Sequence, residues 1–277
     1  MTSASFLTIS TLAYVAAWIV FVSHFCTRQK RLEDIGNYLV ASAFLIHTAG
    51  MLLRWHEPYG FIRVQSPIGI PYEVFVVSSW VVAANFLHLF IRSKLNCTGV
   101  FTVPFAMMGM TLAEINKKSD IAAAWPSMDS NWPVYYVWSS SIAYAAFAIA
   151  CSVSIMFIII SKYQNAGGNT LSIASSFPPA EILDCINRRK IRTGFVWLTL
   201  SLIIGAFWSN FAWGTFWAGT PLEIWSLLGW LIYFCAVWRS RREIEGVWAS
   251  WQSIASFLVF IVIFAAFHQL FRVTVCY

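Results

Sequence analysis

Apolar residues gather along the chain into eight long stretches, at about residues 6–25, 35–53, 72–91, 99–115, 134–160, 193–211, 222–237 and 253–271, with most charges between them. The runs are apolar on every side of a helix, and most approach the ~20 residues needed to cross a hydrocarbon core. A membrane β-strand would need only ~9–11 residues of alternating polarity, so the pattern predicts helices rather than a barrel. The stretches at 99–115 and 222–237 are the shortest. The expected fold class is all-α: a polytopic transmembrane bundle of about eight spans, forming one integral membrane domain over residues 1–277. The first stretch is too long, and too poor in a basic leader, for a cleavable signal peptide, so a retained helix is expected.

Basic residues alternate between connections. Arg28, Lys30 and Arg31 follow the first stretch, and Arg92 and Lys94 the third. Lys162, Arg188, Arg189, Lys190 and Arg192 surround the fifth connection, and Arg239, Arg241 and Arg242 follow the seventh. Placing these on the cytoplasmic side leaves both termini, and the loop at 213–217, outside the cytoplasm. Composition agrees with a life in lipid: 59% of residues are hydrophobic, 11% are charged, and the mean hydropathy is +0.67. The formal charge of +6 is spread over membrane-edge loops, so no nucleic-acid partner is expected.

The longest cytoplasmic connection, 161–192, carries Gly167-Gly168 and Pro178-Pro179, which interrupt regular structure. Beyond them Ile182, Leu183 and Ile186 are spaced for a short interfacial helix. The segment reads as a membrane-edge connector or as a partner's docking point. On the outer side, residues 116–133 contain an amphipathic turn at Ile121–Trp125, and Trp125 and Trp132 suit an interfacial belt. The six cysteines form no CxxC or CxxCH, so neither a dithiol exchange pair nor a covalent c-type haem site is expected. They read as small packing residues.

Residues 206–234, AFWSNFAWGTFWAGTPLEIWSLLGWLIYF, place Trp208, Trp213, Trp217, Trp225 and Trp230 around a Gly- and Pro-bearing helix break. Together with LLRWHEPYGF at 52–61, IPYEVFVVSSW at 70–80 and WPVYYVWSSSIAYAAFAIA at 132–150, this segment resembles the cytochrome c assembly family. These are haem-handling membrane proteins of c-type cytochrome maturation. The resemblance runs from about Ile46 to Phe271, and its most specific part is the order Trp208, Asn210, Trp213, Gly214, Trp217, Pro221, Glu223, Trp225 and Trp230. It implies a haem-contacting aromatic loop on the outer face.

The departures fall on the chemistry. Where the family carries Trp-Asp-Pro-Lys-Glu, this chain has Gly219-Thr220-Pro221-Leu222-Glu223. Family histidines are replaced by Tyr136 and Trp238, and a third has no counterpart near Val275. An indole is no axial donor to haem iron. Tyr136 would have to ionise in an apolar site to become one, so aromatic packing is its simpler role.

The histidines that are present suggest another arrangement. His47 and His268 fall in the outer halves of the second and eighth stretches, where they could be opposing axial ligands of a b-type haem or bond to neighbouring helices. His24 and His88 are depth-matched near the cytoplasmic ends, as a second haem or quinol site or as helix-end groups beside water. Arg54, next to Trp55, could balance a haem propionate or anchor the interface. Trp213 and Trp217 would shield the ring. Glu223 and Glu73 each sit just after a proline at a helix start, where the dipole and free N–H groups favour a carboxylate.

The expected function is that of a divergent cytochrome c assembly-like subunit binding b-type haem, handling haem or transferring electrons within a larger complex. Its expected partners are the bilayer, other membrane subunits and a c-type cytochrome. A non-catalytic structural subunit that has lost haem binding is the alternative, and a solute transporter lacks the inverted repeat or broken charged spans it would need. No catalytic residue is expected. A bacterial cytoplasmic membrane suits the short loops, with an organelle membrane left open.

Overall fold

The computed structural model describes the backbone of residues 3–56, 71–93, 98–116, 132–165, 178–240 and 246–275. Eight α-helices follow one another: α1 (Ser3–Thr27), α2 (Lys30–His56), α3 (Pro71–Ser93), α4 (Gly99–Asn116), α5 (Trp132–Asn165), α6 (Ala180–Trp213), α7 (Pro221–Ser240) and α8 (Gly246–Val275). Among the described residues five helices, α1, α2, α3, α5 and α6, are long and apolar enough to cross a membrane. The apolar parts of α4, α7 and α8 are shorter, at Gly99–Ile115, Glu223–Trp238 and Gly246–Val262. All-α membrane architecture is therefore as the sequence indicates.

Two helices are longer than their apolar cores. α5 and α6 each have 34 residues, about 51 Å at 1.5 Å per residue, against a hydrocarbon core of ~30 Å. The separate interfacial helix expected around Ile182–Ile186 is instead the first part of α6. Packing explains the fusion. Leu183 and Ile186 join a cluster with Leu89, Ile149, Val153, Met156 and Ile160, and no proline or glycine occurs between Ala180 and Thr193. Residues 117–131 and 166–177, with the turn expected at Ile121–Trp125, lie outside the described residues.

α5 is the central post. It packs on α3 and α4 from one group of helices and on α6 and α8 from the other, while α1 and α2 flank the first group and α7 bridges α6 and α8. Its middle is rich in small residues, with Ala143, Ala145, Ala148, Ala150, Ser152 and Ser154 buried, so neighbouring backbones approach closely, as in lipid-embedded helix pairs. At Gly194 of α6 a Cβ would come within 2.5 Å of the Phe147 ring. That ring is in turn stacked on Tyr233 of α7, centroids 3.4 Å apart and 7° from parallel.

Polar side chains tie helices together within the bundle. Trp80 Nε1 donates to Thr48 Oγ1 (2.9 Å), Trp230 Nε1 to Thr199 Oγ1 (2.9 Å), and Thr8 Oγ1 to Glu114 (2.7 Å). Outward positions such as Leu12, Leu45, Ile91, Val196 and Val262 leave large apolar side chains exposed. Such a continuous apolar exterior is stable against acyl chains and not against water.

Candidate functional site

The aromatic segment is held by two glycines and one carboxylate. α6 stops at Gly214, whose φ of 71° is the left-handed cap geometry and whose N–H donates to Asn210 O at 2.9 Å. Gly219, at φ 70°, makes the second reversal. Nothing lies within 4 Å of where a Cβ would stand at either position, so it is backbone conformation, not space, that requires glycine there.

α7 then begins with a reciprocal capping box. Thr220 N donates to Glu223 Oε2 (2.9 Å), and Glu223 N donates to Thr220 Oγ1 (3.4 Å). The same carboxylate accepts from Ala218 N at 3.1 Å, so Glu223 pins the loop as well as the helix. Thr-Pro-Leu-Glu carries this box in its spacing, with proline at the first helical position. The sequence reading found the helix-start role of Glu223 and missed its grip on Ala218.

This loop displays Trp213, Phe216 and Trp217, each about half exposed. Phe216 meets Phe207 edge to face at 5.9 Å, and Phe207 stacks on Trp132 at 5.5 Å. The aromatic surface thus continues from the loop onto α5. Beneath it lies a cleft lined by Tyr136, Trp208, Ser209, Trp213, Trp217 and Glu223. Tyr136 Oη and Ser226 Oγ share a hydrogen bond of 3.3 Å at its floor. Trp230 belongs elsewhere: it stacks on Phe234 and bonds to Thr199 inside the helix pair.

The cleft is small, about 50 Å³. That is room for a few waters, far less than a porphyrin occupies. Its lining contains no imidazole or thiol, and among the described residues no group of three or more His, Cys, Asp or Glu could hold a metal ion. The described residues lining the cleft therefore do not enclose a porphyrin. What they offer is the exposed rim, an aromatic face suited to lie against a flat apolar ring.

The remaining candidate residues are dispersed. His47 of α2 is fully buried, with Tyr14 Oη 3.4 Å from Nδ1 and the Tyr14 ring edge-on at 6.0 Å. The Val76 backbone is a further polar neighbour, while Nε2 meets no partner within hydrogen-bond limits. α2 packs mainly on α1 and α3, whereas α8, which carries His268, packs on α5, α7 and α6. The His268 side chain lies outside the described residues. His47 does not line the aromatic cleft.

Arg54, at the end of α2, places its guanidinium 4.7 Å from the ring centroid of Tyr72 at the start of α3, a cation–π contact that fixes it beside the α2–α3 connection. It too is absent from the cleft lining. His24 Nδ1 lies 2.9 Å from Gln29 O, and its Nε2 is 3.8 Å from Glu33. His88 is exposed on α3 and faces a groove shared with α6, whose lining does not include His24. The Glu73 side chain lies outside the described residues.

The comparisons agree with the aromatic segment's resemblance. The family described as Cytochrome C assembly protein matches residues 70–271. The chain is 28% identical over 266 residues to a cytochrome c biogenesis protein CcsA of Mesostigma viride, covering 87% of this chain and 84% of the relative. It is 29% identical over 248 residues to a CcsA of Microcystis aeruginosa, covering 73% and 74% of the two chains. To a CcsA of Chlorella vulgaris it is 23% identical over 256 residues, 82% of this chain and 79% of that one.

Proposed function

The chain belongs to the cytochrome c assembly protein family, and on that premise we propose that it is a haem-handling or electron-transferring subunit of a larger membrane complex that assembles c-type cytochromes. One observation carries this reading: the exposed rim of Trp213, Phe216 and Trp217 held over the α6–α7 junction. Three large aromatic side chains left half open at a capped helix break offer a flat ring a recognition surface, beyond the anchoring that aromatics give at a membrane edge.

In this reading the rim shields part of a flat apolar ring, and a partner subunit or a c-type cytochrome docks beside it. His47 and His268 are the proposed axial pair, and Arg54 the proposed charge partner of a propionate. Bound haem would supply one-electron chemistry. This chain's own groups would orient and shield, with no covalent transformation performed by any of them. The alternation of basic connections supports placing both termini and the aromatic loop outside the cytoplasm, and the short loops suit a bacterial cytoplasmic membrane, with an organelle membrane left open.

Haem per polypeptide and visible spectra of the gently purified complex test the reading, compared among the parent chain, Trp213→Ala with Trp217→Ala, His47→Ala and His268→Ala. Loss of haem from the tryptophan variant with assembly intact is expected. Loss of a low-spin b-type spectrum from either histidine variant assigns axial ligation, and unchanged stoichiometry and spectrum in both removes that pair.

A second reading has its own observation. The 50 Å³ cleft without imidazole favours a scaffold subunit that has lost haem and keeps its aromatic face for protein contacts. It predicts a haem-free chain whose tryptophan variants fail to assemble.

A further inference from the structure

α3 and α6 both rest on α5, and at the basic end of the bundle a groove of about 480 Å³ opens between them. Its floor is apolar, from Leu89 and Ile186 of the cluster that packs against α5. Its walls carry Asn85 and His88 from α3, and Arg189, Lys190 and Thr193 from α6. Lys190 spans the gap, donating from Nζ to Asn85 Oδ1 at 2.9 Å. Asn85 is itself fixed, because its Nδ2 donates to Val81 O at 3.0 Å.

The charge in this groove is unbalanced. An ammonium has three donors, and Asn85 takes one of those on Lys190. Among the described residues no carboxylate lies within ion-pair distance of Lys190 or Arg189. Asp184, the acid nearest on α6, accepts from Arg188 at 2.8 Å, and Arg188 lines a different groove, with α8. Two basic side chains and an imidazole therefore face one hollow, with no acid among the described residues to meet them.

The surroundings are amphiphilic. Thr193, Val196 and Leu200 follow at helical spacing on α6, all exposed, so an apolar stripe leads from the groove along the lipid-facing side. Ile91, one turn beyond His88, is among the most exposed large apolar residues of the chain. We propose that this groove binds a phosphate-bearing anion, and that in the membrane it is filled by the headgroup of an anionic phospholipid whose acyl chains lie on the Val196–Leu200 stripe. A neutral quinol would leave both cations uncompensated. A free phosphate would make no use of the stripe.

Native mass spectrometry of the full chain tests this, with phosphatidylglycerol or phosphatidylcholine supplied separately in mixed micelles and inorganic phosphate as a competitor. Arg189→Gln and Lys190→Gln are compared with Lys162→Gln, which removes an exposed charge at the same end outside the groove. Retention of phosphatidylglycerol is expected to fall about fivefold with each groove charge removed, the factor equivalent to one charge near a membrane surface. Phosphatidylcholine retention and the Lys162→Gln variant stay unchanged. Equal retention of the two lipids by the parent chain, or an undiminished phosphatidylglycerol signal in Arg189→Gln, would overturn the proposal. Displacement by inorganic phosphate at concentrations matching the lipid would overturn its lipid source. Arg189 is exposed, so its variant reads binding even where Lys190→Gln disturbs the α3–α6 bridge.

Discussion

Replacing Glu223 by alanine removes the group that closes the aromatic loop. Its carboxylate accepts from Ala218 N (3.1 Å) and Thr220 N (2.9 Å), leaving two exposed-side amides without a protein partner once it is gone. A hydrogen bond to a charged group contributes ~1.5–3 kcal/mol when shielded. This carboxylate is partly open to solvent, and water competes for both amides, so the total is closer to the ~1–2 kcal/mol of a lost helix cap. That corresponds to a roughly 5–30-fold change in a local opening equilibrium. Amide hydrogen exchange of the detergent-solubilised protein should therefore show Ala218 and Thr220 exchanging about 5–30 times faster in Glu223→Ala. Amides in the middle of α5 should be unchanged. Glu223→Gln retains an acceptor at the same reach, as glutamine does in capping boxes, and should recover most of the protection. Equal exchange at residues 218 and 220 in all three proteins would refute the idea that the carboxylate holds this loop.

At Gly194 a methyl would meet the Phe147 ring at 2.5 Å, and Tyr233 blocks that ring's retreat. Gly194→Ala is expected to destabilise the bundle by ~1–3 kcal/mol through overpacking. Thermal unfolding should show Phe147→Leu costing less in the Gly194→Ala background than in the parent, and strictly additive effects would refute the steric coupling. The inferred orientation is open to cysteine labelling, because Cys26 and Cys185 are exposed at the basic end of the bundle. In intact cells a membrane-impermeant thiol reagent should modify a Trp217→Cys probe in a background without other cysteines, whereas in the parent chain it should reach Cys26 and Cys185 only after the membrane is opened. The reverse pattern would invert the topology. Gly219→Ala, at φ 70° with open space around it, should cost ~1–2 kcal/mol from left-handed strain alone, because no neighbour is crowded. Proteolysis of the loop at matched temperature would report this, and a variant as resistant as the parent would refute the requirement for glycine.

The helices were legible because lipid exposes the whole of each segment to one apolar solvent. A run such as Val134–Ile160 needs no partner to be recognised as a span. The cap at Gly214 and the helix start at Pro221 were equally local, since each depends on residues only a few positions apart. The beginning of α6 was not. Whether Ile182–Arg192 stands as a surface helix or runs on into the span depends on Leu89 and Met156, far away in the chain, receiving Leu183.

The histidines show the same boundary. Their depths follow from counting along each stretch, and that count placed His47 and His268 in the same half of the membrane. Which helices touch is set by side-chain packing, and α2 settles against α1 and α3 while α8 settles against α5, α6 and α7. The sequence by itself determined the solvent, the helices and the aromatic break, because those are properties of contiguous residues. Only the tertiary structure decided that Trp213 and Trp217 form an open rim above Tyr136 and Glu223, and that Lys190 reaches across to Asn85. Both juxtapositions join positions far apart in the chain, Tyr136 with Trp213 and Asn85 with Lys190, and they exist because α5 gathers the two halves of the bundle around its small-residue core.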